Sequence, residues 1–393
     1  MILSIVIYTA TALMLYLLAD NVSKRETVAC GYGAHISFWS LEIIMSILLF
    51  GFIAGARYNV GVDHLSYLSE YLSIQHTGHP SRETYEPGFL FITNAFANCG
   101  FHFFFYFAFL AILQIGFIYY ALRDRKHLLP YIGLLIMLGP YFLNWMNGIR
   151  QCIVMCFFVF LAEFIVKKKF WYYAAGILLA TTMHRSALIL LPIYFIFFKD
   201  NKLENNKILL LVLLLCIIVG STPTWLHIMT NLDGLLAFLG YDRYSQEIGR
   251  MVSEGLRDTA WGPSRIGLLV IDIAIIWFYS AMRNYYKDDK YLSTYFFLFL
   301  IGTYLYNLFV NTSHIFIRPV GYFTIFKLPL TAYLLYYLYN IRNNIAYWFV
   351  CVVAFLYIYF ILYKATIIHN VANETSIYKF FFDNTNALNS LLQ

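Results

Sequence analysis

Long apolar runs alternate with short polar turns along almost the whole chain. A helix needs about 20 apolar residues to cross the hydrocarbon core, and these runs predict about twelve spans. They cover Ile2–Ala19, Phe38–Ala56, Phe101–Leu122, Leu128–Trp145, Ile149–Val166 and Phe170–Met183 in the first half. Ala187–Phe198, Ile208–Gly220, Arg265–Met282, Tyr291–Val310, Val320–Tyr339 and Ala346–Tyr363 continue the series. Pro87–Asn98 is shorter and more polar and is expected as an interfacial or half-inserted helix. The first run has no basic leader and no small-residue cleavage site before Asp20, so it reads as a retained helix rather than a signal peptide. Two longer connections, 57–100 and 221–264, are expected as large outer loops. The expected fold is all-α, a polytopic integral membrane protein with one domain over 1–393.

Composition agrees. The chain is 61% hydrophobic, 20% aromatic and 12% charged, against about 25% charged in soluble domains. The six cysteines form no CxxC pair, and packing explains them better than a metal site.

Charge adds sidedness. Lys24, Arg25, Arg123, Arg125, Lys126, Lys167–Lys169, Lys199, Lys202, Lys207, Arg283, Lys287, Lys290 and Arg342 fall on one side of the predicted spans. The positive-inside rule makes that side cytoplasmic and puts both termini outside. The opposite connections carry arginine without lysine: Arg57, Arg82, Arg150, Arg185, Arg243, Arg250, Arg257, Arg265 and Arg318. Topology needs only positive charge and does not explain this separation. A guanidinium fork binds phosphate or carboxylate in bidentate fashion, whereas ammonium is a point charge. An anionic ligand met from outside is one reading; pairing of each arginine with a nearby acid or lipid headgroup is the other. Ionisable residues placed deep in the predicted spans are few (Glu42, Glu163, Asp272, Lys327).

Four stretches are expected to meet at the outer face. In "GARYNVGVDHLSY", Gly61 permits a tight turn that would bring Arg57 and Asp63 together. That pair reads either as a salt bridge fixing the helix exit or as an anion ligand (Arg57) beside a base (Asp63), with Tyr67 following. In "LNWMNGIRQC", Asn147 and Gly148 make a turn, and Arg150 and Gln151 open the next helix, where exposed amides already favour an anion. "TTMHRSALILLP" places His184, a residue type suited to moving a proton, beside Arg185. "NTSHIFIRPVGYF" places His314 and Arg318 ahead of Pro319 and an aromatic run. The connection 221–264 mixes Trp225, Tyr241, Asp242, Arg243, Tyr244, Glu247, Arg250, Glu254, Arg257, Asp258 and Trp261, which suits either carbohydrate or a surface amphipathic helix. Nucleotide-binding loops, zinc-hydrolase motifs and serine-hydrolase motifs are absent from the sequence.

Three of these pieces, "RYNVGVDHLSY", "NGIRQ" and "HRSALILLPIYF", occur in an order and spacing that resembles the EpsG family of Wzy-type polysaccharide polymerases, over residues 40 to 330. "IRPVGYF" fits less specifically. The resemblance implies a GT-C-like, Wzy-type architecture in the bacterial cytoplasmic (inner) membrane. It also implies glycosyl transfer from an undecaprenyl-pyrophosphate-linked glycan to the next lipid-linked repeat unit at the outer face, as in capsule, exopolysaccharide or O-antigen synthesis. Pyrophosphate would then be met by Arg150, Arg185 and Arg318, with Arg57 next. Asp63 is the first choice of base, ahead of His184 and Glu86. Asn147, Gln151, Tyr67 and His314 are expected against sugar. No cofactor or metal is expected. The expected partners are the lipid-linked oligosaccharide, membrane lipid and a chain-length regulator protein, with no nucleic acid. The rival readings are a flippase or exporter of lipid-linked oligosaccharide and an O-antigen-type ligase.

Overall fold

Backbone polar groups in hydrocarbon must be satisfied within the segment that carries them, and the apolar runs accordingly form helices. The computed structural model describes residues 1–80, 85–196, 205–222, 225, 228, 230–231, 242–254, 261–287, 289–312, 314–368 and 374–384. The chain divides into two units, Met1–Tyr194 with Leu335–Gln393, and Phe195–Leu334.

The first unit opens with α1 (Ile2–Gly31), α2 (Leu41–Gly55), α3 (His64–Thr77), α4 (Pro87–Asn98) and α5 (Phe103–Ala121). It continues with α6 (Leu129–Leu138), α7 (Tyr141–Asn147), α8 (Ile149–Val166) and α9 (Phe170–Met183). The second unit holds α10 (Asn206–Gly220), α11 (Asp242–Glu254), α12 (Pro263–Tyr285), α13 (Lys290–Phe309) and α14 (His314–Thr324). The chain then passes through α15 (Lys327–Asn340) to α16 (Asn344–Ile367), which belongs to the first unit. Asn205, Asp289 and Asn343 cap the helices that follow them with side-chain oxygens, supplying acceptors for first-turn amides.

Among the described residues, six helices are long and apolar enough to cross a membrane, or seven if one bent pair counts as a span. Several predicted spans are shorter or broken. Leu128–Trp145 becomes α6 and α7, bent by 62° at Gly139–Pro140, because proline cannot donate to the helical ladder. Val320–Tyr339 is split between Thr324 and Lys327. Ala187–Phe198 becomes a 3-10 helix, Arg185–Phe195, with Pro192 inside it. The apolar helices α2, α9 and α10 have 15, 14 and 15 residues, which gives each a rise of roughly 21–23 Å. Pro87–Asn98 is a helix with those limits. The preceding part of the expected loop folds into α3, which periodicity had not revealed.

Within the first unit α2 packs on α5, α5 on α8, α8 on α9, and α4 on both α3 and α9. A largely aromatic core joins them, with Tyr67, Leu68, Tyr71, Phe89, Tyr106, Phe107 and Ile149 buried together. The C-terminal segment returns to the end of α2. Phe380 pairs with Arg57 as an isolated bridge, Tyr58 N–H donates to Lys379 O at 2.8 Å, and Gly61 N–H donates to Thr375 O at 3.0 Å. The Tyr378 hydroxyl donates to Ile53 O at 2.6 Å.

In the second unit α13 packs against α10 and α14. Helix α11 occupies part of the expected second outer loop, and Ile248 and Met251 pack on Trp225, Phe309 and Phe316. Tyr241, Arg257 and Asp258 lie outside the described residues, as does Arg82 of the first loop.

Candidate functional site

Glu86 and Pro87 start α4. Proline suits the first helical position because the amide it lacks has no partner there. Glu86 holds the capping position, yet its side chain makes no capping bond to α4. Its carboxylate reaches two other elements instead. One oxygen accepts from Arg150 Nη1 at the start of α8. The other accepts from the Arg185 backbone N–H at 3.2 Å and lies 3.2 Å from His184 Nδ1, just past the end of α9.

Close packing permits this convergence. A Cβ on Gly88 would stand 2.3 Å from Thr182 Oγ1, so glycine lets the start of α4 lie against the end of α9. Helix α8 begins directly after the Asn147–Gly148 turn, which points Arg150 back at Glu86. Arg150 lies over two aromatic faces, 4.8 Å from the centroid of Tyr85 and 5.3 Å from that of Phe89, and it also bonds the Tyr67 hydroxyl. Cation–π contacts of this kind hold a guanidinium without consuming its N–H donors. The Arg150 Nε is buried and has no hydrogen-bond partner among the described residues.

Exposure is graded. The Glu86 side chain is 6% exposed, while Arg150 and His184 are 24% and 26% exposed. Arg185 is exposed. Burial alone would raise the Glu86 pKa. The His184 hydrogen bond, the Arg150 charge and the Arg185 amide overcome that and push it down to about 2. Glu86 is therefore a carboxylate. It can only accept, so His184 Nδ1 carries the shared hydrogen and Nε2 points elsewhere.

The first-loop turn sits beside this cluster. Gly61 has φ +89°, and a Cβ there would lie 2.5 Å from Met146 O, so both backbone sign and space require glycine. Asp63 N–H donates to Asn147 Oδ1 at 3.1 Å. The half-buried Asp63 acts electrostatically on Tyr67, whose pKa is raised by burial, lowered by Arg150 and raised by Asp63.

Arg57 behaves differently from expectation. It forms no pair with Asp63: its side chain is 1% exposed, and it donates to the carbonyls of Ala54 and Val60. Its charge lies 4.8 Å from the Phe107 ring centroid. Burial lowers its pKa to about 10, partly offset by Tyr378 and Tyr8. The returning C-terminal segment pairs with the backbone of this turn, and Tyr378 lies close enough to act on the guanidinium.

Three of the four stretches thus meet in the first unit. Tyr67, Glu86, Arg150, His184 and the Arg185 amide form one cluster, with Asp63 and Asn147 adjoining it. Gln151 is half-buried on α8. Arg318 is exposed on α14 in the second unit, and His314 opens that helix, its side chain outside the described residues. Sequence reasoning missed Tyr85 and Phe89. The signal available was their position around "YEPGF", where a proline-started helix fixes the flanking rings.

Acid–base pairs gather at the other helix ends. Arg123 meets Glu163 at 2.7 Å, Lys167 also pairs with Glu163, Arg25 meets Glu42 at 2.7 Å, and Lys126 meets Glu26 at 2.9 Å. Glu42 and Glu163, expected deep in spans, instead lie in the first turn of α2 and the last turn of α8. Arg150 and Glu163 are separated along α8 by roughly 20 Å of rise. The arginine-bearing cluster and the lysine-bearing ends are thus opposite ends of the first unit. Asp272 and Lys327 form a buried pair at 2.8 Å in the second unit.

A sequence model of the EpsG family matches residues 41–380. No curated protein and no solved structure gives a match. The matched region contains every residue gathered around Glu86, and such a family suggests a polysaccharide-polymerase-like, glycosyltransferase-like membrane protein. The chain belongs to the EpsG family.

Proposed function

We propose that the chain polymerises lipid-linked oligosaccharide, transferring a glycan from undecaprenyl pyrophosphate to the next lipid-linked repeat unit at the outer face of the cytoplasmic membrane. The observation that carries this reading is the convergence of Arg150, His184 and the Arg185 amide on one buried carboxylate, Glu86.

In the proposed reaction, an acceptor sugar hydroxyl attacks the anomeric carbon of the donor. The bond from that carbon to the pyrophosphate oxygen breaks, and the pyrophosphate leaves with the electron pair. Negative charge grows on the leaving group, and donors already in place lower the barrier. Arg150, positioned by Tyr85 and Phe89, and the exposed Arg185 supply them. The same guanidinium charge makes a metal unnecessary in this scheme.

The acceptor proton goes to His184. Its Nδ1–H is committed to Glu86, which leaves Nε2 to accept. Glu86, held near 2, is too weak a base to serve and orients the histidine instead. Asp63, the first choice from sequence, is the second candidate base. Tyr67, Asn147 and Gln151 are assigned to the sugars. Arg318 and His314 belong to the second unit and take no part in this scheme.

The test uses purified protein in nanodiscs with one synthetic lipid-linked repeat unit. A ladder of longer glycans supports the reading. Transfer of the lipid-linked sugar between vesicle leaflets, without a ladder, replaces it with the flippase reading.

A further inference from the structure

The far end of α1 and the turn after it bring together three side chains of a kind that can ligate metal, Glu26, Cys30 and His35. Glu26 and Cys30 lie one turn apart on the helix. The chain then reverses through Gly33, at φ +71°, with Gly33 N–H donating to Cys30 O and Ala34 N–H to Ala29 O. The reversal lays His35 against the same helix face.

The three candidate ligand atoms form a small triangle. Cys30 Sγ is 3.5 Å from His35 Nδ1 and 3.7 Å from Glu26 Oε1, and His35 Nδ1 is 2.8 Å from Glu26 Oε1. A tetrahedral zinc-class ion with ordinary Zn–S, Zn–N and Zn–O bonds separates its ligand atoms by about 3.3–3.6 Å. Two edges already match, and the third opens by about half an ångström to admit the ion.

Outer contacts fix the carboxylate. Glu26 Oε2 accepts from Lys126 Nζ at 2.9 Å and from the Ile36 N–H at 3.0 Å, which leaves Oε1 facing the sulfur and the imidazole. Lys126 also donates to Ile36 O at 3.0 Å, tying the reversal to the α5–α6 connection. Support of this kind orients first ligands at metal sites. The His35 and Cys30 side chains are exposed, so an ion can enter and water can complete the coordination.

We propose that Glu26, Cys30 and His35 bind a divalent transition-metal ion of the zinc class, with water in the fourth position. Thiolate with imidazole and one carboxylate favours such an ion over magnesium or calcium. Binding releases the Cys30 thiol proton to solvent, moves the His35 ring hydrogen from Nδ1 to Nε2 through water, and replaces the Glu26–His35 contact with two metal bonds. The ion then staples the end of α1 to the segment leading into α2. The site is at the lysine-bearing end of the first unit, opposite Glu86, and does not rest on the glycosyl-transfer reading.

The test uses the full chain, purified with a histidine-free tag in detergent, titrated with cobalt(II) as a spectroscopic probe. One ion per chain with a thiolate-to-cobalt charge-transfer band is expected. Cys30→Ser removes the band, and His35→Ala weakens binding at least about tenfold. Cys99→Ser, at the other exposed cysteine, leaves both unchanged. Absence of the band at saturating cobalt, or its persistence in Cys30→Ser, overturns the proposal. So does unchanged affinity in His35→Ala.

Discussion

Glu86 and Arg150, far apart in sequence, form an ion pair between the starts of α4 and α8, and the same carboxylate holds the imidazole of His184. This one residue couples three elements, so changes at it separate structural from chemical roles.

Arg150→Lys keeps the charge and removes the fork. If Arg150 meets the leaving pyrophosphate, turnover falls about 10²–10³-fold, the usual cost of losing a transition-state donor. Thermal stability changes little, since lysine still pairs with Glu86. Steady-state kinetics beside a melting curve measure both.

Glu86→Gln leaves Arg150 partly buried without its partner. Breaking a fully buried pair costs about 3–5 kcal/mol. Because Arg150 is 24% exposed, about 2 kcal/mol is expected after allowing for solvent. The sign with pH follows from a depressed folded pKa. The contribution is present above the ordinary value of 4.5 and is lost as pH falls toward about 2. The stability gap between wild type and Glu86→Gln therefore narrows over that window, as denaturant unfolding at several pH values will show.

His184→Asn removes the proposed base and is expected to lower turnover about 10²–10⁴-fold. Asp63→Asn keeps the backbone bond to Asn147 and is expected to cost less than about tenfold. The reverse order of effects would return the base to Asp63.

Arg57→Gln tests whether that arginine holds the fold or the ligand. Its buried bonds to Ala54 and Val60 assign it to the fold. The variant is expected to melt lower, while turnover per folded molecule and KM stay unchanged. A selective rise in KM at unchanged stability would restore a ligand role.

Hydropathy made the apolar helices legible but not the more polar α3, and Pro87 made α4 legible to its limits. The breaks after Leu138 and Thr324 were less visible, because an apolar run looks the same whether or not its helix continues. The turns "NGIRQ" and "TMHR" announced Arg150 and His184. What joins them was hidden: Glu86 is 64 residues from Arg150 and 98 from His184, and nothing local marks such a contact. Proximity of Arg57 and Asp63 in sequence misled for the opposite reason. The Arg57 guanidinium turned to the carbonyls of Ala54 and Val60, a distant segment paired with the backbone of the turn, and Asn147 took the backbone of Asp63.

The most direct measurement is polyprenyl pyrophosphate released per glycosidic bond formed, in wild type, Arg150→Lys and His184→Asn, with a synthetic lipid-linked repeat unit. The account predicts one release per bond in wild type and parallel loss of both products in the two variants. Bond formation that proceeds unchanged in both variants would contradict a transfer site at Glu86, Arg150 and His184.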